Sequence, residues 1–165
     1  MLKALAACRS PVQAGFAGTG SMRKHLEAMA ETLGLTDRVR FVGAVSRADM
    51  LNLYAHATAV FFGPLDEDYG YVTLEAMLSS KPVITCSNSG GPLEFVLDGE
   101  TGFVTAPEPQ AIAKALETLM ANAGKAAELG RNGRARYDAM DITWSHVVET
   151  LLADIPSTEQ SGVAS

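Results

Sequence analysis

The chain has 165 residues, of which 47% are hydrophobic and 19% are charged, and its formal net charge is −6 at pH 7. A single domain of this length can bury a sizeable core, and the acidic balance argues against a nucleic-acid partner. No apolar run approaches the roughly 18 residues that a membrane span requires, and the first residues lack the apolar h-region expected of a secretory signal peptide.

Strands and helices are predicted to alternate along the chain. Hydrophobic periodicity and turn residues predict strands near residues 12–18, 39–42, 59–62, 83 and 102. Helices are predicted near residues 2–8, 22–33, 46–56, 71–80, 92–97, 109–120 and 125–137, followed by a last helix that carries Trp144. This alternation predicts an α/β fold with a Rossmann-like, doubly wound parallel sheet and helices on both faces. Residues 1–154 are assigned to one domain and residues 155–165 to a flexible tail.

Local signals mark several helix boundaries. Ser46 is a candidate N-cap with Asp49 three residues later, and Gly34 is expected to end the second helix. Pro109 stands at the first position of the sixth predicted helix. The predicted inner face of that helix consists of Ile112, Leu116, Leu119 and Met120.

The most informative stretch follows the predicted strand at residues 59–62. A turn and three acids at residues 66–68 come next, and Gly70 precedes a helix that begins at Tyr71. The first N–H groups of a helix are unpaired and together carry about half a positive charge. A strand, a loop and a helix start in this order therefore predict an anion site, and glycine at position 70 would let a phosphate approach the backbone.

Two carboxylates flank this helix start, Glu67 in the loop and Glu75 within the helix. An ionised carboxylate only accepts hydrogen bonds, and its two oxygens can take both hydroxyls of a vicinal diol. Sugars and riboses carry such diols. The pattern therefore predicts a nucleotide-sugar, with the ribose on one side, the diphosphate at the helix and the hexose on the other side.

This stretch resembles the signature of the retaining, family 4 (group 1) glycosyltransferases of the GT-B fold, in which seven residues separate two glutamates. Further segments that resemble the family, in the same order, are residues 38–43, 81–84, 90–94 and 98–104. The resemblance covers about residues 12–152. It implies the C-terminal, donor-binding domain of an enzyme that transfers a hexose from an NDP-sugar to an acceptor while keeping the anomeric configuration.

The resemblance implies a role for each candidate site residue. Glu67 is implied to be the catalytic group that holds the donor hexose, and Glu75 is implied to bind the ribose hydroxyls. The phosphates are implied to meet, mainly through backbone N–H groups, Tyr71, Val72 and Thr73. Val45 resembles the residue that lines the nucleobase pocket, and a plain core contact is the open alternative.

Other interpretations of these residues stay open. Glu67 and Glu75 could be a solvated loop residue and a glutamate that complements the helix dipole, or a glycosidase acid/base pair. Residues 66–68 also mimic a metal-binding motif, but the family uses no metal, so neither a metal nor another cofactor is expected. Residues 18–20 resemble part of a dinucleotide fingerprint, although Arg23 stands where the third glycine belongs.

The resemblance also implies parts that are not found in this sequence. The family's C-terminal domain opens with a strand followed by an arginine and a lysine that clamp the donor diphosphate, and nothing before Val12 matches them. The sheet is therefore expected to lack its first, central strand, so that the flanking edges close on each other, pair with another chain or leave the fold marginal. Four acids without those cations would repel a diphosphate, so this chain alone is expected to bind donor weakly and to transfer no sugar.

The expected partners are a nucleotide-sugar donor, the family's missing N-terminal Rossmann-like domain, and other chains that pair with exposed sheet edges. Cys8 and Cys86 match no disulfide framework or zinc spacing, which favours a reducing, cytoplasmic location. The full-length protein is expected to associate peripherally with the inner face of a membrane. The alternatives are a truncated, inactive nucleotide-binding or assembly module and a nucleotide-sugar epimerase of the same fold.

Overall fold

The structure, a computed structural model, describes residues 1–142. Within that range the strands are β1 (Ala14–Ala17), β2 (Val39–Gly43), β3 (Val60–Phe61), β4 (Val83–Cys86) and β5 (Gly102–Thr105). The helices are α1 (Leu2–Ala7), α2 (Arg23–Thr32), α3 (Arg47–His56), α4 (Tyr71–Leu78), α5 (Pro92–Phe95), α6 (Pro109–Ala121) and α7 (Ala123–Ala139). The predicted helix around Trp144, the domain boundary at residue 154 and the predicted tail lie outside the described residues.

The helix boundaries follow the local signals in the sequence. The side chain of Ser46 accepts a hydrogen bond of 3.1 Å from the amide of Asp49 and so caps α3 as predicted. Gly34 has a φ of +66° just after α2, which is the left-handed conformation that ends many helices. Met120 was expected on the inner face of α6, but this side chain is 46% exposed because it lies on the solvent side of that helix.

The five strands form two parallel sheets rather than one. β1 pairs with β2, and β3, β4 and β5 form a second sheet in that order. In a doubly wound sheet of order 3-2-1-4-5-6, these strands would occupy positions two to six, with the first position empty between β1 and β3. The expectation that the central strand is not present agrees with this arrangement.

Hydrogen bonds show which way the backbone amides point at the inner edges of the sheets, which are the edges of β1 and β3 beside the empty position. Ala14 and Gly18 donate their amides to the β2 side, so the alternating residues Gly15 and Ala17 direct theirs away from β2. The residues flanking Phe61 donate to the β4 side, and the amide of Phe61 therefore faces the opposite way. No pairing between β1 and β3 exists among the described residues, so the expectation that these edges close on each other is wrong, whereas pairing with another chain and a marginal fold stay predictions.

The strand predicted at residues 59–62 is shorter and less buried than expected. Only Val60 and Phe61 form β3, and both are half-buried. β4, which has a strand on each side, is buried at all four positions. The difference follows from the unpaired edge of β3, which leaves this strand without a neighbour on one side.

Helices cover both faces of the sheets. Alternate side chains of a strand point to opposite faces, and in β4 the fully buried Val83 and Ile84 belong to different core clusters. Ile84 packs in the cluster that contains Leu5 of α1, while Val83 packs with Tyr54 of α3 and Ala76 of α4. This two-sided packing is the predicted doubly wound arrangement. No helix in the described part of the chain is both long enough and apolar enough to cross a membrane.

Candidate functional site

The acidic loop, residues 66–68, follows β3 and is held by the segment after β4. The amide of Glu67 donates to the carbonyl of Ser89 at 3.0 Å, and the amide of Gly91 donates to the carbonyl of Glu67 at 2.6 Å. These bonds and a parallel bridge between Glu67 and Gly90 extend the strand pairing beyond the ends of β3 and β4. The backbone of the loop is thus fixed while its three acidic side chains remain exposed.

Two glycines make this bracing possible. A Cβ on Gly90 would lie 2.5 Å from the carbonyl oxygen of Glu67, and a Cβ on Gly91 would lie 2.5 Å from that of Asp68. Real side-chain atoms are not found this close to a backbone oxygen. The sequence offers no physical reason for the Gly90-Gly91 pair beyond its resemblance to the family. The structure provides that reason, because only residues without a side chain leave room for the acidic loop.

Gly70 is needed for packing. It is the N-cap of α4, with φ of 76° and ψ of 53°, a left-handed conformation that costs a side-chain-bearing residue roughly 1–2 kcal/mol. A Cβ at this position would lie 2.8 Å from Cγ of Pro92 and 3.4 Å from Cε1 of Phe62. The sequence suggested that glycine admits a phosphate here, whereas the observed neighbours of the missing Cβ are protein side chains.

The start of α4 offers unpaired backbone donors. None of the described residues accepts a hydrogen bond from the amide of Tyr71 or Val72, and the side chain of Tyr71 is 71% exposed. The amide of Thr73 is already engaged, since it donates to the carbonyl of Gly70 at 2.8 Å. The free amides, together with the positive end of the helix dipole, can bind an anion.

Thr73 differs from the other predicted phosphate contacts. Its side chain is fully buried, and its Oγ1 has no hydrogen-bond partner among the described residues. With its amide donated to Gly70, Thr73 adds no free donor at the surface of the helix start.

Glu75 is exposed and is held from one side by Tyr54. The hydroxyl of Tyr54 on α3 donates a hydrogen bond of 2.8 Å to Oε2 of Glu75 on α4, and Tyr54 is only 6% exposed. Burial raises the pKa of Tyr54, and the hydrogen bond and the negative charge of Glu75 raise it further. Tyr54 was not among the predicted site residues, because its link to Glu75 is a tertiary contact between two helices.

The two predicted sugar-binding acids lie on either side of the free amides along the chain. Glu67 is exposed in the acidic loop, and no described residue forms an ion pair with Asp66, Glu67, Asp68 or Glu75. Such carboxylates can accept hydrogen bonds from hydroxyl groups. Among residues 1–142 no group of three or more His, Cys, Asp or Glu side chains is arranged to hold a metal ion.

Val45 lies in the loop between β2 and α3 and is half-buried. This loop follows the carboxyl end of β2, as the acidic loop follows that of β3, and ligands of doubly wound sheets bind at such strand ends. No hydrogen bond joins Val45 to the acidic loop in the described structure. The two segments follow strands of different sheets.

Comparisons with known proteins support a common origin. The family model described as glycosyl transferases group 1 matches residues 1–136. The chain is 36% identical over 140 residues to a D-inositol 3-phosphate glycosyltransferase of Salinispora tropica, a match that covers 84% of this chain and 28% of that protein. It is also 35% identical over 113 residues to the human alpha-1,3/1,6-mannosyltransferase ALG2, covering 68% of this chain and 27% of that enzyme.

A solved structure shows the same fold. The crystal structure of Anabaena HepE in complex with UDP and glucose matches with a TM-score of 0.79 and 33% sequence identity, covering 92% of this chain and 43% of that one. The chain therefore spans less than half of this solved structure and less than a third of the curated relatives above.

Proposed function

Because the chain belongs to the glycosyl transferases group 1 family, we propose that it is the donor-binding part of a retaining glycosyltransferase. The full enzyme moves a hexose from an NDP-sugar to an acceptor. One observation carries this proposal: the unpaired amides of Tyr71 and Val72 begin α4, and the exposed acids Glu67 and Glu75 lie on either side of them in the chain. Amides suit a diphosphate, and carboxylates suit the diols of a sugar and a ribose.

Each group has a distinct task in this proposal. The amides of Tyr71 and Val72 bind the diphosphate, with the dipole of α4 favouring its negative charge. Glu75 accepts the ribose hydroxyls, and Glu67 holds the donor hexose at the reacting centre. Val45 lines the nucleobase pocket. Anabaena HepE, which shares the fold, has been crystallised with UDP-glucose, and this supports a nucleotide-sugar as the ligand class.

Further parts of the full enzyme belong to the same proposal. A second, Rossmann-like domain supplies the acceptor site, and cationic side chains outside the described residues neutralise the diphosphate. The chemistry needs no metal or other cofactor, because free amides and cations stabilise the leaving diphosphate. The enzyme acts in the cytoplasm, at the inner face of a membrane in its full-length form.

The chain by itself is expected to bind the donor weakly and not to transfer sugar. Asp66, Glu67, Asp68 and Glu75 form no ion pair within the described structure, and unpaired carboxylates repel a diphosphate. The same observation favours a second candidate function, an inactive module that binds nucleotide or assembles with other chains.

A screen with UDP-, GDP- and ADP-sugars tests the donor site. At a ligand concentration ten times the Kd, binding stabilises the folded chain by about 1.4 kcal/mol, which a thermal-shift assay detects. We expect one nucleotide class to raise the melting temperature. We expect Glu67→Gln and Glu75→Gln to reduce that rise, because losing a carboxylate that accepts two hydroxyl groups costs more than the repulsion of the diphosphate that it relieves.

Glu31→Gln is the matched control for both variants, because Glu31 is an exposed glutamate on α2. The donor site is refuted if none of the three classes stabilises the folded chain, or if all three glutamine variants respond like the parent chain.

A further inference from the structure

Tyr54 and Glu75 join two helices at the edge of the proposed donor site. Tyr54 is on α3 and Glu75 is on α4, and the phenol hydroxyl donates to Oε2 of the carboxylate at 2.8 Å. The tyrosine is buried and the glutamate is exposed. A buried donor thus holds one oxygen of a carboxylate whose other oxygen, Oε1, has no partner among the described residues.

The ring of Tyr54 is itself fixed by the core. It belongs to a buried cluster with Ala76, Val83 and Val96, which come from α4, β4 and the end of α5. A hydroxyl carried by such a ring has a defined position, whereas an exposed glutamate on its own samples several rotamers. The hydrogen bond from Tyr54 therefore restricts the rotamers that the Glu75 side chain can adopt.

We propose that Tyr54 is a positioning residue, which holds the Glu75 carboxylate in the orientation that receives the ribose diol of the donor. This role rests on the proposed function of Glu75. Oε1 is free for one ribose hydroxyl, and Oε2 keeps a second lone pair for the other. Because the glutamate is ordered before the ligand arrives, less conformational entropy is lost on binding.

The protonation of Tyr54 supports this role. A tyrosine hydroxyl is protonated and donates a hydrogen bond throughout the neutral range even at its ordinary pKa, and burial and the contact with Glu75 raise the pKa of Tyr54 further.

A double-mutant cycle tests the role with two probes, UDP and inorganic pyrophosphate. Tyr54→Phe removes only the hydroxyl. We expect it to weaken UDP binding about three- to tenfold, the effect of ordering one long side chain, and to leave pyrophosphate binding unchanged. In a Glu75→Ala background the same substitution should have no further effect on UDP affinity.

Tyr137→Phe is the matched control, because Tyr137 is a half-buried tyrosine on α7, outside the proposed site. It should leave UDP affinity unchanged. Equal losses of UDP and pyrophosphate affinity in Tyr54→Phe, or additive effects of Tyr54→Phe and Glu75→Ala, would overturn the positioning role.

A ligand-free measurement separates this role from the proposed function. Three-bond NMR couplings should report one dominant Glu75 rotamer in the parent chain and averaged rotamers in Tyr54→Phe. If Glu75→Ala leaves UDP affinity unchanged, the proposed ribose contact fails, and the couplings still decide whether Tyr54 orders Glu75. Equal couplings in the parent chain and in Tyr54→Phe would contradict the ordering directly.

Discussion

Gly91 shows how a single residue outside the proposed ligand contacts shapes the acidic loop. Its φ of −46° is open to any residue, so glycine is not required there for its backbone conformation. The reason is space, since a Cβ on Gly91 would lie 2.5 Å from the carbonyl oxygen of Asp68 and 2.8 Å from Cα of Tyr69. The backbone of the loop can therefore lie against this residue only while it has no side chain.

Gly91→Ala is expected to displace the acidic loop. The forced shift should lower the free energy of unfolding by about 1–3 kcal/mol, the usual cost of overpacking, and should weaken binding of UDP. Urea denaturation and calorimetry measure the two effects. Gly15→Ala is the control, because a Cβ there meets nothing within 4 Å, and its stability should change by no more than about 0.5 kcal/mol. Equal stabilities of the two variants would contradict the close approach.

The chemistry of the site could be predicted at this scale only in part. Glu67, Gly70 and Glu75 stand out because their spacing is local and visible along the chain. Tyr54 lies 21 residues from Glu75, and nothing in the spacing links a tyrosine on one helix to a carboxylate on another. At Gly70 the structure adds a packing reason for glycine that local spacing could not show, because Pro92 approaches it from a separate segment, and the phosphate contact stays a prediction.

At the scale of elements, α7 packs against α4 and the turn that follows it. A Cβ on Gly130 would overlap the carbonyl oxygen of Ser80, whereas a Cβ on Gly133 would lie 3.5 Å from Cγ of Met77, an ordinary contact. Both glycines are buried on the same helix, one turn apart. They provide a matched pair of sites at which the same substitution meets different surroundings.

Gly130→Ala should therefore destabilise the chain, whereas Gly133→Ala should not. Alanine favours a helix interior over glycine by roughly 1 kcal/mol, so Gly133→Ala should leave the free energy of unfolding unchanged or raise it. Gly130→Ala should lower it by about 1–3 kcal/mol because α7 must move away from the turn at Ser80. Chemical denaturation monitored by circular dichroism compares them, and a more stable Gly130→Ala variant would show that α7 does not pack on Ser80 as described.

Sequence patterns predicted the positions of helices and strands better than they predicted the burial of individual residues. Ser46 and Gly34 mark helix ends through local hydrogen bonding and backbone conformation, and both act as expected. The short length of β3 was not predictable from its apolar run, because strand length depends on which neighbours pair with it. The prediction that Met120 faces inward was wrong, because helical spacing alone does not define which residues lie at the boundary of a buried helix face.

At the scale of the whole molecule, the two sheets leave inner strand edges unpaired in the described structure. The inner edges are those of β1 and β3, whose outward amides include Gly15 and Phe61, while β2 and β5 form the outer edges of the described sheets. Unpaired edges are templates for pairing with other chains. The alternation of strands and helices predicted a parallel, doubly wound arrangement, but no local pattern in the sequence shows whether an inner edge is paired.

We expect the chain to self-associate through these edges. Sedimentation velocity should show a concentration-dependent increase in mass, and Gly15→Lys should reduce it, because a charge on an edge strand opposes pairing. Ala121→Lys adds the same charge at an exposed position at the end of α6 and should leave association unchanged. A parent chain that stays monomeric at all concentrations, or equal behaviour of the two lysine variants, would argue against edge pairing.

The most direct test of the proposed donor site is an NMR titration of the 15N-labelled chain with UDP, which detects even weak binding residue by residue. If the start of α4 is the anion site, saturable shifts should concentrate at the amides of Tyr71 and Val72 and in the acidic loop, with smaller shifts near Val45. Shifts that are confined to other surfaces, or no shifts at millimolar UDP in a folded chain, would contradict the donor site.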